Sequence, residues 1–298
     1  MRLEGVSKGM DACDVTAIVL TKNEELNIGD CIDSLKGFAS RIVVVDSGSC
    51  DGTVELAERL GADVFSHEFI NYSRQFNWAL DNVDIDTRWT LRFDADERLT
   101  PPLKEELAEL MLKHHDDEVT GFVFQARLFF LGREIKHGGP QKRKIMLFRS
   151  GIGRIEDTEM DEHTILARGV AVAVKNRFIH YDFKDINLFI EKLNWYATRE
   201  VKDYFAHFEK EEIEDLNDPM INAIRKKKFG FYYRFPKFLR CNLLFLYNYI
   251  FKLGFLDGKE GFVYHYMYYR WYRTLVDAKI FEQESKASSF ADAENNAQ

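Results

Sequence analysis

The chain has 298 residues, 46% hydrophobic, 14% aromatic and 30% charged, with a formal net charge of −8. That length can bury one large core, or a core with an appendage, and the polar balance argues against a disordered chain and against a polytopic membrane protein. Four scattered cysteines (Cys13, Cys31, Cys50, Cys241) form no CxxC pair, which argues against a zinc finger, a thioredoxin-type site or a disulfide scaffold and predicts reduced thiols.

In chain order, Met1 to Asp14 is polar and lacks the apolar core of a signal peptide, so the expected compartment is the cytoplasm. Val15 to Leu20 is a continuous apolar run of strand length, ending at Thr21-Lys22-Asn23-Glu24. Glu24 to Leu35 shows helical spacing (Leu26, Ile28, Ile32, Leu35) and stops at Gly37. Arg41 to Val45 predicts a second buried strand, broken by Asp46-Ser47-Gly48-Ser49, and a helix follows from Asp51 to Gly61. Ala62 to Ser66 predicts a short third strand, Ser73 to Leu80 a helix, and Trp89 to Phe93 a fourth strand ending at Asp94-Ala95-Asp96. Strands alternating with helices imply a parallel sheet covered on both faces. Ligands of such sheets sit beyond the C-terminal strand ends. Three of those ends carry ligand-capable residues: Thr21, Asn23 and Glu24; Asp46 and Ser47; Asp94 and Asp96.

After a helix from Pro101 to about Lys113 the pattern changes. Gly121 to Leu131 and Lys142 to Phe148 read as strands joined by a loop containing Lys136-His137-Gly138-Gly139-Pro140, a cationic turn suited to an anionic acceptor or to a solvated hairpin tip. Ala171 to Ile179 predicts another strand, ending at His180, and Asp185 to about Phe208 a helix. Glu209 to Asp218 is an acidic linker. From Pro219 to Leu256 no acidic residue occurs, whereas Arg225, Lys226, Lys227, Lys228, Arg234, Lys237, Arg240 and Lys252 do, interleaved with aromatics. That mixture points to an anionic surface. The uncharged stretch between Arg240 and Lys252 is short of the roughly 20 residues that span a bilayer, and fits helices lying in the interface. A helical subdomain packed on the core or on another subunit is the alternative. No nucleic-acid-binding motif accompanies the cations, so nucleic acid is not an expected partner. The expected division is a tail over 1–14, a catalytic domain over 15–183, a helical basic-aromatic region over 184–283 and a disordered tail over 284–298.

Two clusters carry the chemistry. Asp94 and Asp96, at i and i+2 where a buried strand unwinds, supply hard oxygen ligands for Mg2+ or Mn2+ bridging substrate phosphates. Taken alone, a DxD is more often a solvated turn; its position after a strand and opposite Asp46 favours the ligand reading. Asp46 can accept from a base or ribose, with Ser and Gly permitting close backbone approach, while Asp51 reads as a helix cap.

Val19-Leu20-Thr21-Lys22-Asn23-Glu24, Val44-Val45-Asp46-Ser47-Gly48-Ser49-Cys50-Asp51-Gly52-Thr53 and Phe93-Asp94-Ala95-Asp96-Glu97, in this order and spacing, resemble glycosyltransferase family 2, and within it the bacterial branch that builds lipopolysaccharide core and exopolysaccharide. The resemblance extends to Ile179-His180-Tyr181-Asp182-Phe183-Lys184-Asp185 and Phe255-Leu256-Asp257-Gly258. It implies a GT-A fold, a Rossmann-like mixed α/β sheet, to which the basic-aromatic region adds the expectation of a C-terminal helical, membrane-associating extension. It implies a nucleotide-sugar donor, most often a UDP-sugar, with Thr21, Asn23 and Glu24 lining the nucleoside pocket and Asp46 accepting from base or ribose. Asp94 would lie near the donor sugar and ribose, Asp96 would hold the metal on the diphosphate, and His180 would complete the metal shell. Arg74, in the segment Ser73 to Asn77, is a candidate phosphate or base contact or a helix-surface arginine. Inverting members need a general base, and the candidates lie in Arg154 to His163, with Glu162 first, Asp161 close behind, and Glu156 and Asp157 less favoured. Relatives often carry His-Glu-His where this chain has Asp161-Glu162-His163, and Arg where it has Met146. The implied acceptor is a lipid-linked saccharide, and the implied location the inner face of the cytoplasmic membrane, with homo-oligomerisation left open. A metal-dependent nucleotidyltransferase would show a Gly-rich loop after the first strand, which Thr21-Lys22-Asn23-Glu24 is not. A non-catalytic scaffold would not need Asp46, Asp94 and Asp96 together.

Overall fold

The computed structural model describes residues 13–115, 118–140, 143–157, 162–181, 185–209 and 228–295. Asp161, the acidic linker beyond Glu209, and Arg225 to Lys227 lie outside them. The chain forms two units, residues 1–127 with 141–182, and residues 128–140 with 183–298.

The first unit is built on β1 (Cys13–Thr21), β2 (Ala39–Asp46), β3 (Asp63–Ser66) and β4 (Trp89–Asp94), which pair in parallel in the order β3-β2-β1-β4. The β-branched runs of β1 and β2 are buried on both faces, as a covered parallel sheet requires, whereas β3 at the edge stays partly exposed. Along β1 the period of two is explicit: Val15, Ala17 and Val19 enter one core cluster, and Ile18 and Leu20 the other. The first cluster takes Ile28, Ile32 and Leu35 from α1 (Glu25–Leu35) and Leu103, Leu107 and Met111 from α4 (Pro101–Lys113). The second takes Phe76 and Ala79 from α3 (Tyr72–Asn82). Leu26 fits the helical spacing yet stands 80% exposed, because position 26 falls outside the stripe that Ile28, Ile32 and Leu35 form. The short helix α2 (Thr53–Arg59) begins after Gly52, and Asp51 accepts from the Thr53 amide instead of forming the cap residue itself.

The parallel half is only part of the sheet. β8 (Arg143–Arg149) adds antiparallel to β4, and the order continues through β6 (Val119–Phe130) and β11 (Val170–Tyr181) to β5 (Glu97–Arg98). A two-stranded ladder, β9 (Gly153–Ile155) with β10 (Thr164–Leu166), stands apart from it. The fold is thus a mixed, Rossmann-like α/β sheet followed by a helical C-terminal extension.

In the second unit, β7 (Arg133–Ile135) pairs with Leu128–Phe130 at the end of β6. The unit also holds α5 (Ile186–Glu209), α6 (Leu239–Leu246), α7 (Gly258–His265) and α8 (Tyr272–Asn295), with α7 against β7 and α5 against α8. The π-helical turns Tyr247–Phe251 and Tyr266–Trp271 continue α6 and lead into α8. The core is strongly aromatic, with Phe130, Phe189, Tyr233, Tyr264 and Tyr272 among its members. α8 runs to Asn295, into the segment whose composition predicts a disordered tail, since small polar residues with Glu and Lys are also competent helix formers once a packed helix leads into them.

Candidate active site

Strand register brings the three polar strand ends together. Thr21 is the Cα partner of Asp46, and Leu20 that of Asp94. Asp46 and Asp94 therefore flank the tip of β1, about 10 Å apart at ordinary strand spacing. The Thr21 hydroxyl is buried and has no hydrogen-bond partner among the described residues.

The β1 and β2 loops are stitched to each other. Asn23 sits at φ 53°, a left-handed conformation that Asn tolerates better than most residues. Its amide donates to Ser49 Oγ and its Oδ1 accepts from the Cys50 amide, both at 2.8 Å. The Glu24 amide donates to Thr53 Oγ1 (2.8 Å), and Glu24 Oε2 accepts from Asn27 Nδ2 (2.8 Å). Asp46 is buried, and Oδ2 accepts from the amides of Gly48 and Ser49 (both 2.9 Å) while Oδ1 accepts from Ser49 Oγ (2.5 Å). Asn23, Glu24 and Asp46 thus set the shape of this rim through bonds within it.

At the end of β4 three carboxylates converge. The Asp94 amide donates to Glu97 Oε2 (2.9 Å). Burial, then the neighbouring Asp94 and Asp96, push the Glu97 carboxyl well above the usual carboxylate range, against the Asp94 amide and Lys144. The β5–β11 ladder sets His180 directly opposite Glu97, and the Tyr181 amide donates to the Asp96 carbonyl (2.9 Å). His180 Nε2 consequently lies 3.3 Å from Asp96 Oδ2. At that distance the two side chains are bonded directly to each other, and together they could offer a cation at most two ligands. Among the described residues no group of three or more His, Cys, Asp or Glu side chains gathers to hold a metal. A cation held here would need substrate oxygens and water for the rest of its shell.

Two residues that the sequence reading passed over tie this cluster to the base-bearing loop. Arg92, on β4, is fully buried; its Nε donates to Tyr72 Oη (2.9 Å), which in turn donates to Asp94 Oδ1 (2.7 Å). Arg92 Nη1 reaches Thr164 Oγ1 (3.3 Å) and the Glu162 carbonyl (3.5 Å). Burial raises the Tyr72 phenol well above its ordinary value despite Arg92, so the hydroxyl stays protonated and able to donate. Burial alone would weaken the charge on Arg92, but Tyr72, Asp94 and Glu162 more than offset it. The signal was a lone arginine inside an otherwise apolar strand two residues before the DxD.

The base candidates belong to the loop joining β9 to β10, closed at its base by the Glu156 amide donating to the His163 carbonyl (2.9 Å). Asn77 of α3 clamps that ladder by donating to the Ile155 carbonyl (2.8 Å) and accepting from the Ile155 amide (3.0 Å). Asp157 accepts from Asn71 Nδ2 and Ser73 Oγ, each at 3.1 Å, and these bonds with Arg74 keep its carboxyl below its ordinary value. Arg74 is exposed, with Nε 3.4 Å from Asp157 Oδ2. Arg74 is thus held at the mouth of α3 against Asp157 and is not joined to the Asp94–His180 cluster by any of these bonds.

Residues 16–158 match the family described as Glycosyl transferase family 2. The chain is similar to an uncharacterized glycosyltransferase of Rickettsia typhi, 28% identical over 199 residues that cover 63% of this chain and 67% of that protein. It is also similar to the lipopolysaccharide core biosynthesis glycosyltransferase LpsC of Rhizobium meliloti, 31% identical over 191 residues, 62% of this chain and 69% of that protein. Among solved structures it is similar to glucosyl-3-phosphoglycerate synthase from Mycobacterium tuberculosis in complex with Mn2+, uridine-diphosphate and glucosyl-3-phosphoglycerate, with a TM-score of 0.30 and 21% identity over 40% of this chain and 44% of that one. That last likeness, spanning under half of the solved chain, carries no argument about ligands.

Proposed function

The chain belongs to glycosyltransferase family 2, and on that premise we propose that it moves a sugar from a nucleotide-diphosphate donor to a hydroxyl of a lipid-linked or lipopolysaccharide/exopolysaccharide acceptor in one inverting displacement. The observation that carries this reading is the convergence of Asp94, Asp96, Glu97 and His180 beside the paired ends of β1 and β2. UDP-sugars are the donors to try first. The buried Thr21 hydroxyl offers one bond to the nucleoside.

Asp96 and His180 would hold Mg2+ or Mn2+, which when bound neutralises the diphosphate as it leaves. Glu162 is the first choice of general base: it would take the acceptor's hydroxyl proton as that oxygen attacks the anomeric carbon and the bond to the diphosphate breaks. Asp161, outside the described residues, is the second. Arg92, bonded to the Glu162 carbonyl on one side and through Tyr72 to Asp94 on the other, would keep base and donor carboxylate in register. The likeness to LpsC supports a lipopolysaccharide acceptor, and with it a peripheral position at the inner face of the cytoplasmic membrane.

A thermal-shift screen of nucleotide sugars with Mg2+ or Mn2+ tests the reading. Ligand at ~100 times its Kd adds about 2.7 kcal/mol to the folded state, so a true donor stands out. The expected result is a metal-dependent shift for a UDP-sugar that Asp96→Ala abolishes without lowering the unliganded midpoint. No shift with any nucleotide sugar would sink the donor reading; an equal shift in chelator would sink the metal.

A further inference from the structure

The helix α6 and its continuation to Phe251 are turned inside out relative to a helix on a soluble surface. Their buried positions are Arg240, Cys241 and Asn248. Arg240 is consumed internally, with Nε donating to Asp277 Oδ1 (2.8 Å) and Nη1 to the Tyr233 carbonyl (3.0 Å). Six apolar residues point the other way, Leu239, Leu243, Leu246, Tyr247, Ile250 and Phe251, 42–75% exposed, while Leu244, Phe245 and Tyr249 are half-buried. The spacing 239, 243, 246/247, 250 is one helical stripe. Just beyond it, Leu253, Phe255 and Leu256 are each 45–50% exposed.

The segment is pinned at both ends in costly backbone. Phe238 (φ 64°) and Leu253 (φ 62°) are left-handed, a conformation that bulky side chains avoid, and both side chains are exposed. Gly254 is held against the second unit's core, where a Cβ would lie 2.6 Å from His265 Nε2. The apolar face is therefore presented by a fixed scaffold.

Its chemistry selects the occupant. No acidic residue occurs from Lys228 to Leu256. Arg234, Lys252, Lys259 and Arg270 are exposed, with Lys252 Nζ 5.3 Å from the Tyr247 ring centre and the Arg270 guanidinium 5.3 Å from that of Tyr266. Cations lying on aromatic rings at the rim of an apolar face are the arrangement of an interfacial anchor. The thirteen residues from Leu239 to Phe251 extend about 20 Å, short of the ~30 Å hydrocarbon layer, and no described helix is long and apolar enough to cross a membrane.

We propose that this face docks the protein on an anionic lipid leaflet, with the Leu239–Phe251 stripe entering the headgroup–acyl boundary and the cations staying among the phosphates. This rests on the membrane-peripheral reading above, and it fails separately from sugar transfer because vesicle binding is read without donor or acceptor. The test is co-sedimentation of the full chain with vesicles of phosphatidylcholine alone or mixed with phosphatidylglycerol. Binding to the anionic vesicles is expected, weakened and not abolished by salt, because salt screens the cations and leaves the apolar insertion. Leu243→Glu with Ile250→Glu should lower the partition coefficient at least ~10-fold. Arg234→Gln and Lys252→Gln should each weaken anionic binding about fivefold, the worth of one cation at such a surface. Leu112→Glu, at a 77% exposed position on α4, should change nothing. Circular dichroism melts superimposable on wild type show that the variants fold. The proposal is overturned if the full chain ignores anionic vesicles at low salt, or if the double Glu variant binds like wild type. It is also overturned if sedimentation velocity shows a wild-type dimer that this variant splits, which assigns the face to a second copy. Vesicle binding without sugar transfer would keep this proposal and remove the acceptor reading.

Discussion

Arg92 interrupts an apolar strand with a fully buried guanidinium, and a buried cation persists only where its hydrogen bonds and counter-charges are in place. Here Tyr72, Asp94 and the Glu162–Thr164 segment serve Nε and Nη1, while Nη2 has no hydrogen-bond partner among the described residues. Tyr72→Phe removes at once the acceptor of Arg92 Nε and the donor to Asp94. It should cost about 1–3 kcal/mol in urea unfolding, the penalty of an unsatisfied buried group, and should weaken donor binding. A variant as stable as wild type would mean that the relay bears no energy. Glu162→Gln should behave in the opposite way, keeping donor affinity and lowering turnover by roughly 100-fold, the ordinary contribution of a general base. Near wild-type turnover would move the base to Asp161.

The loop bearing the base candidates depends on an element contact. β9 and β10 form a ladder of three residue pairs, too small to hold itself, and Asn77 of α3 supplies two bonds to Ile155. Asn77→Ala should leave the main sheet intact, since neither bond belongs to it, and should cost about 1–3 kcal/mol. Because the cluster proposed to hold the donor lies at the ends of β4, β5 and β11, turnover should fall more than donor affinity. Steady-state kinetics beside a donor titration separates the two, and equal losses in both would show that α3 supports the donor side instead.

At the scale of the whole molecule, a net charge of −8 coexists with a second unit whose core is organised by buried ions. Glu200 is buried, accepts from Tyr233 Oη (2.7 Å) and from Tyr272 Oη, and pairs with Arg273 (2.6 Å) and Lys228 (3.3 Å). Burial alone would raise its carboxyl, but Arg273, Lys228 and the two phenols hold it far below the usual carboxylate range. A depressed folded-state value contributes stability above the unfolded carboxylate pKa of about 4.3, lost as pH falls through that value toward the folded one. Glu200→Gln should therefore cost about 3–5 kcal/mol near neutral pH, where a broken buried pair leaves charge uncompensated. The gap to wild type should narrow below about pH 4. Thermal unfolding of both proteins across that range checks the sign; a gap constant with pH would remove the ionised Glu200 as its cause.

The sequence by itself determined the elements that local chemistry dictates. The β-branched run Val15–Leu20 has no soluble alternative to a buried strand, Pro101 starts a helix, and polar residues end three strands on the same side. It also marked Asp94 and Asp96, because a DxD after a strand is a short-range pattern, while His180 was reached through the family resemblance. Only the tertiary structure decided what long-range pairing controls. Antiparallel β8, β6, β11 and β5 complete a sheet that the βα alternation alone implies to be parallel, and the β5–β11 register sets His180 opposite Glu97. Asp46, legible as a ligand, turned out to be bonded within its own loop, since amides two and three residues onward are its nearest donors. Arg92 and Tyr72 stayed hidden because they lie 20 residues apart and meet only through packing. The outward apolar stripe of α6 has the same origin: periodicity shows that a helix has an apolar face, and only its neighbours decide whether that face is buried or left outside.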